Sequence, residues 1–432
     1  MKKTGSGKTA VVFRFVAIAI TLAVILPSCG SSDPKVGEKT WSNQYPVILL
    51  HGFAGWGRDE VFGIYYWGGF QDIQEMLKTE HNYNTMTAVV GPFSSTWDRT
   101  CELYAQLVGT KVGYGKAHSE KYGHLRYGDD YTGMGLYPRW STVSKIHIVG
   151  HSMGGTTARD LVYLMKYGDK DERDNTPADE LSPLFLGGNE GWVASISTIA
   201  TPHDGTTLLE ILDLKVVAQS FLSILSMMIG ENPIYDLKLE QWGLQREPGE
   251  KWNDYLARVF SSPIWNSTDF STYDLSVDGA SLYNQTWLAQ PDIYYFSYAN
   301  KTTWTLFGNY EYPDLNTIFA FYPTAWAMGT FDYSRCHTSK EWHTNDGIVN
   351  TVGMPGPHCY TDSSFTNKDI VVNYTGNPKK GEWNYVNLLD EADHAAVINI
   401  FFFPDHALNY YDTTIKPRYV DIVKRVVDLE GN

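Results

Sequence analysis

Ser152 stands in "KIHIVGHSMGGTTARDLV" (residues 145–162), flanked two positions either side by Gly150 and Gly154. That spacing, G-x-S-x-G, is the arrangement in which a serine hydroxyl becomes a nucleophile at a strand-to-helix corner. Ile146, Ile148 and Val149 read as a buried strand, and Thr156 to Leu164 as a helix. A side chain on so short a join needs small neighbours, and the glycines supply them. The hydroxyl then sits at a helix N-terminus, where developing negative charge is favoured. A glycine-rich turn carrying an incidental serine is the plain alternative. The rest of the chain must therefore supply a base, an acid and donors for an oxyanion.

On this kind of corner the partners follow the serine in the order acid, then histidine. His337, His343, His358, His394 and His406 all lie downstream. His394, in the polar loop of "LLDEADHAAVINI", is the first choice of base and His406 the second. Asp346, in "HTNDGIVN", is the candidate acid, although Asn-Asp-Gly is also an ordinary turn. Asp332, Asp390 and Asp393 compete with it. The tetrahedral oxyanion needs fixed N–H donors. The N–H of Met153 follows the nucleophile, and the "LLHGF" loop offers the N–H of Phe53, with Gly52 permitting close backbone approach.

The elements that must position these groups alternate. Strand candidates at Tyr45–Leu50, Asn84–Val90, Ile146–Gly150 and Val193–Thr198 are separated by helical segments such as Phe70–Lys78. That rhythm predicts an α/β fold, a mostly parallel, doubly wound sheet covered by helices. From Gly205 to about Asn300 the rhythm breaks, which reads as an insertion over the sheet. A net charge of -15 argues against nucleic acid and anionic membrane surfaces as partners.

The N-terminus carries Lys2, Lys3, Lys8 and Arg14 before an apolar run from Phe15 to Leu26, the pattern of an export signal over residues 1–28. Leu26-Pro27-Ser28-Cys29 resembles a lipobox, making Cys29 the candidate lipid acceptor in a bacterial envelope. Residues 29–44 read as a linker and 45–432 as the body. Cys336 and Cys359 are candidates for a disulfide in an oxidising compartment, leaving Cys101 as a buried thiol.

Several longer stretches make a resemblance specific: "VILLHGFAGWGRDEVFG", "YYWGG", "VVGPFSSTWDRTCELYAQLVG", "IATPHDGTT", "QWGL" and "NDGIVNT". They are similar to the thermoalkalophilic and staphylococcal lipases of true-lipase family I.5, from about Tyr45 to about Val397. The resemblance implies an α/β-hydrolase fold with a triacylglycerol lipase activity. It implies the triad Ser152, Asp346 and His394, and favours Phe53 and Met153 for the oxyanion hole. It also implies a structural zinc ion in a small extra domain, held by Asp98, His118, His124 and Asp269. Four N and O ligands suit tetrahedral zinc with no open position for water.

The chain departs from the family at Gly150, where alanine is usual, and at Met153, where glutamine is usual. Both are tolerable because the oxyanion donor is a backbone group. The family's calcium site maps to Asn316, Ala396 and Phe401 here. Its carboxylates are gone, so calcium is expected to be absent. By the same resemblance the apolar segment Leu208–Pro233 is expected to be a lid helix that opens on an oil surface. The reading is an exported lipase acting on lipid esters at an oil–water interface. A carboxylesterase or polyester hydrolase of the same fold is the nearest rival, and a non-catalytic lipid-binding protein is the rival of another class.

Overall fold

The computed structural model describes residues 40–61, 63–219, 222, 234–306, 308–333, 338–361, 364–366, 369–400 and 409–430. The export segment, Cys29, Cys336, His337, Phe401 and His406 lie outside them, as does most of the stretch from 220 to 233. Of Cys359 only the backbone is described.

Alternating apolar residues build a parallel sheet of seven strands. In chain order these are β1 (Val47–Leu50), β2 (Thr85–Ala88), β3 (Ile146–His151), β4 (Val193–Ile199), β5 (Tyr294–Asn300), β6 (Ile370–Asn373) and β7 (Glu382–Leu389). Their spatial order is β6-β7-β5-β4-β3-β1-β2, and every neighbouring pair is parallel. Successive side chains of a strand face opposite sides. Val47, Leu49 and Val149 accordingly enter one core, while Ile48, Leu50, Ile146 and Ile148 enter the other.

Helices close both faces, as the alternation of strands and helical segments predicts. On the first side lie α1 (Ile73–Glu80) and the C-terminal helix Lys416–Val427, which contribute Ile73, Leu77, Tyr419, Ile422 and Val426. On the second lie α2 (Thr96–Val108) and the helix Met153–Tyr167, with Leu103, Leu107, Ala158 and Leu161. Asp72 and Ser95 cap α1 and α2 by accepting backbone N–H groups of their first turns.

The chain runs from β1 to β2 on one side and returns to β3 on the other. Loops after β1 and β3 therefore diverge, and a crevice opens at their C-terminal ends. The loop carrying Gly52 and Phe53 and the turn at Ser152 are the two loops that flank it.

Two boundaries and one expected division differ from the sequence expectation. The insertion after β4 ends before residue 294, not near 300, because Tyr294–Asn300 pairs with β4 and β7 in the sheet. The linker ends short of residue 44: Asn43 is buried, its amide donates to the Tyr45 and Asn84 carbonyls, and the Gln44 N–H donates to Glu430. The expected small extra domain is not separate, since Trp41–Asn432 is a single compact unit. Its would-be ligand Asp98 lies on α2, which is packed directly on the sheet.

Trp383 on β7 is fully buried between the rings of Tyr295 and His203, and its indole N–H donates to Asp369. Trp383→Ala is expected to lower unfolding free energy by about 3–5 kcal/mol. The check is the denaturant midpoint at unchanged m-value.

Candidate active site

The corner after β3 is sharper than the sequence spacing alone requires. The helix, α3 (Met153–Tyr167), begins immediately after Ser152, whose own backbone is at φ 55° and ψ −129°. A non-glycine residue at such a φ is strained by roughly 1–3 kcal/mol and persists only when its surroundings over-determine it. Here the Ser152 N–H donates to Ile199 O at 2.8 Å, and Ser152 O accepts from Gly155 N–H and the Thr201 hydroxyl. A Cβ on Gly154 would meet Leu50 O at 2.2 Å, and one on Gly150 would meet Gly154 C at 2.6 Å. Glycine at both positions thus permits this close backbone approach, which a side chain would force apart.

Ser152 Oγ lies 2.9 Å from His394 Nε2, and His394 Nδ1 lies 2.7 Å from Asp346 Oδ2. The three are buried together. Asp346 Oδ1 accepts the N–H groups of Ile348 and Val349, so the Asn-Asp-Gly turn is also a turn. Its main chain holds the histidine loop through His394 N–H to Asp346 O at 2.9 Å.

Several of the competing residues have other partners. Asp393 accepts from the N–H groups of Ile318, Ala395 and Ala396, while burial pushes its carboxyl up to about 6. Asp390 pairs with Lys301. The His343 ring bridges Asn309 O and Phe331 O, and the His358 ring is paired with Asp204. At the positions mapped to calcium, Ala396 offers no side-chain ligand and the Asn316 amide donates to Glu391.

The loop after β1 is held by residues that no local pattern singles out. Tyr66 Oη accepts from Gly52 N–H and donates to His151 Nδ1; His151 Nε2–H then donates to His394 O. A line of hydrogen bonds thus runs from the loop after β1 through the corner to the loop carrying His394. Burial lowers His151 well below its usual range, which keeps it neutral, as the line requires. His51 is lowered to about 3, first by burial and then by the Arg99 charge. Asn300 closes the far end, donating to Asp346 Oδ2. Neither Phe53 N–H nor Met153 N–H has an acceptor among the described residues.

A family model described as "Lipase-like, C-terminal domain" matches residues 43–402. The chain belongs to that lipase-like family. Lipase 2 of Staphylococcus aureus is 36% identical over 368 residues, covering 83% of this chain and 51% of the relative. The chain thus spans about half the length of the curated relatives it matches. Among solved structures, EstA from Clostridium botulinum shares 39% identity at a TM-score of 0.81, covering 91% of this chain and 90% of that one. Lipase 1 from Pelosinus fermentans shares 43% at 0.76, over 88% and 98%. Staphylococcus hyicus lipase shares 31% at 0.74, over 94% and 100%. The fold of this lipase-like chain is the α/β-hydrolase type.

In the same chain, the segment after β4 reaches the turn at Ser152. Leu214 packs on Met153 and Leu275, with Phe53, Leu209 and Val217 beside them. The expected single helix from Leu208 is broken: Leu208–Ile211 ends at an extended Leu212, and Asp213 accepts the Lys215 N–H to start a new turn.

A second cluster gathers Asp98, His118, His124 and Asp269, with one donor atom from each within 4.8 Å of the others. His124 Nδ1–H donates to Leu125 O, so Nε2 carries a lone pair, and it faces Asp269 Oδ2 at 3.2 Å. His118 Nε2 lies 3.0 Å from Asp269 Oδ2 and 3.8 Å from Asp98 Oδ1. Asp98 Oδ1 and His124 Nε2 are buried without a hydrogen bond. Electron pairs converging in a dry site call for a cation, so the donor set fits a metal ion. Such an ion would tie α2 to the 118–124 segment and to the insertion. Dialysis against a chelator is therefore expected to lower the melting temperature, and a divalent transition metal added back is expected to restore it, read by differential scanning calorimetry.

Proposed function

We propose that this chain is a serine ester hydrolase, a triacylglycerol lipase working through an acyl-enzyme. Ser152 Oγ attacks the ester carbonyl as His394 Nε2 takes its proton. His394 then donates that proton to the leaving alcohol, and water repeats the sequence in reverse to free the acid. Asp346 holds the ring with Nδ1–H toward it and stabilises the imidazolium. Phe53 N–H and Met153 N–H receive the oxyanion.

The observation that carries this reading is the continuous line from Ser152 Oγ through His394 to Asp346, at 2.9 and 2.7 Å. A binder would have no use for a serine held in a strained conformation against a base. The names of the staphylococcal and Pelosinus relatives support lipid esters as the substrate. So does an exposed stripe: Phe319, Tyr322 and Trp326, spaced i, i+3, i+7 and 90%, 38% and 53% exposed, in a segment bonded to Asp393 beside the base. An apolar face of this kind suits an oil surface.

Asp98, His118, His124 and Asp269 would hold zinc, which would supply a structural cross-link away from the reacting atoms. The basic and apolar N-terminal stretch supports export, with Cys29 as lipid acceptor. The segment from Leu208, packed on Met153 and Phe53, would act as the lid.

Emulsified long-chain triacylglycerol should be turned over faster than a soluble short-chain ester, and Ser152→Ala should abolish both. Activity confined to the soluble ester would move the assignment to a carboxylesterase or polyester hydrolase, and turnover surviving in Ser152→Ala would remove it. Asp346→Asn should leave the melting temperature nearly unchanged while lowering kcat about 10³–10⁴-fold, because the amide presents the wrong partner to Nδ1.

A further inference from the structure

Arg99, on the first turn of α2, is fully buried. Its guanidinium has no carboxylate partner among the described residues. All of its bonds go to neutral oxygens: Nη2–H to His51 O at 2.5 Å, Nη1–H to Gly91 O at 2.8 Å and to Gly52 O at 3.4 Å, and Nε–H to Thr157 Oγ1 at 3.0 Å. Glu102, the acid one turn further along the helix, is used elsewhere, accepting from Gly91 N–H and the Tyr114 hydroxyl. A buried charge without an ion pair is expensive to maintain. Cross-linking loops does not need a charge, since a neutral amide could bond to carbonyls as well.

The acceptors share one feature. Gly52 O belongs to the peptide whose other end is the Phe53 N–H, and it also accepts from His51 Nδ1–H. Thr157 Oγ1, which accepts from Arg99, itself donates to Met153 O. A hydrogen bond at a carbonyl draws electron density along the peptide and makes its N–H a stronger donor. A cation behind that peptide also opposes the negative charge arriving in front of it.

We propose that Arg99 is the positioning residue of the oxyanion site, holding and polarising the Gly52–Phe53 peptide while anchoring the helix turn that presents Met153 N–H. This rests on the serine-hydrolase reading above. Arg99 touches no reacting atom and acts only through those donors, so its effect belongs to the transition state and not to substrate binding.

The test compares wild type, Arg99→Lys, Arg99→Met and Ser152→Ala on a soluble p-nitrophenyl ester, with active sites counted by fluorophosphonate labelling. An alkylboronic acid serves as tetrahedral analogue. Arg99→Lys keeps the charge but not the planar fork. It should lose about 3–10-fold in kcat per active site, and Arg99→Met about 10–100-fold, less than direct removal of a donor. KM should stay within about threefold, and boronic acid affinity should fall in proportion to kcat. Should Arg99→Met fail to fold, Arg99→Lys decides alone. Unchanged kcat and boronate affinity in the labelled variants would overturn the role, as would a loss confined to the number of labelled sites. Wild type that ignores the boronic acid, or Ser152→Ala that still turns over, would instead remove the hydrolase reading and the Arg99 role with it.

Discussion

A serine at φ 55° between a strand and a helix cannot relax without moving one of them, and that strain organises the surrounding structure. The backbone at Gly154 lies so close to Leu50 O that no side chain fits between. β1 and β3 are therefore locked side by side, and the two loops that leave them open at one crevice. The sheet order places the crevice there because consecutive connections leave β1 in opposite directions. The strain at Ser152 is offset by ordinary interactions: two cores on either face of the sheet and the hydrogen bonds from Ile199 and Thr201.

Around that corner the protein buries an unusual number of polar groups and leaves few unpaired. Tyr66, His51, His151, Asn300 and Arg99 are all inside, and each bonds to a main-chain carbonyl or N–H of a loop that carries a proposed reacting group. A hydrogen-bonded polar network fixes loop positions more tightly than apolar packing, because its bonds are directional. The burial that keeps His51 and His151 neutral also fixes their tautomers, so each ring has one donating and one accepting nitrogen, and both are used. His394 sits at the end of this framework and is the ring of the three that also faces a carboxylate.

The metal cluster belongs to the same architecture. Asp98 precedes Arg99 on α2, so one helical turn offers a carboxylate to the cluster and a cation to the loop after β1. Trp97 stacks on the His118 ring at 4.6 Å, extending the contact between α2 and the 118–124 segment. A cation bound at Asp98, His118, His124 and Asp269 would thus stiffen the helix that holds the loop after β1, and would do so without contacting Ser152 or His394.

Much of this was legible along the chain. Glycines two positions either side of Ser152 announce the corner because their need is local and steric. Alternating apolar residues announce the strands, and the order serine, acid, histidine narrows the partners. Asp98, His118, His124 and Asp269 carry no short spacing, and only likeness to a family brought them forward. Tyr66, His151, Asn300 and Arg99 carried no signal at all, since a tyrosine, an asparagine or an arginine inside a helix has the same local preferences whether it is buried or solvated. The broken helix at Leu212 and the early end of the insertion were missed for a related reason: a cap and a strand pairing are set by neighbours distant in sequence. The elements, their parallel arrangement and the sharp turn at Ser152 are legible locally, because they follow from periodicity and backbone sterics over a few residues. Tertiary structure decided which carboxylate meets His394, which carbonyls Arg99 holds and where four metal donors converge, because each depends on loops tens to hundreds of residues apart meeting in a dry interior.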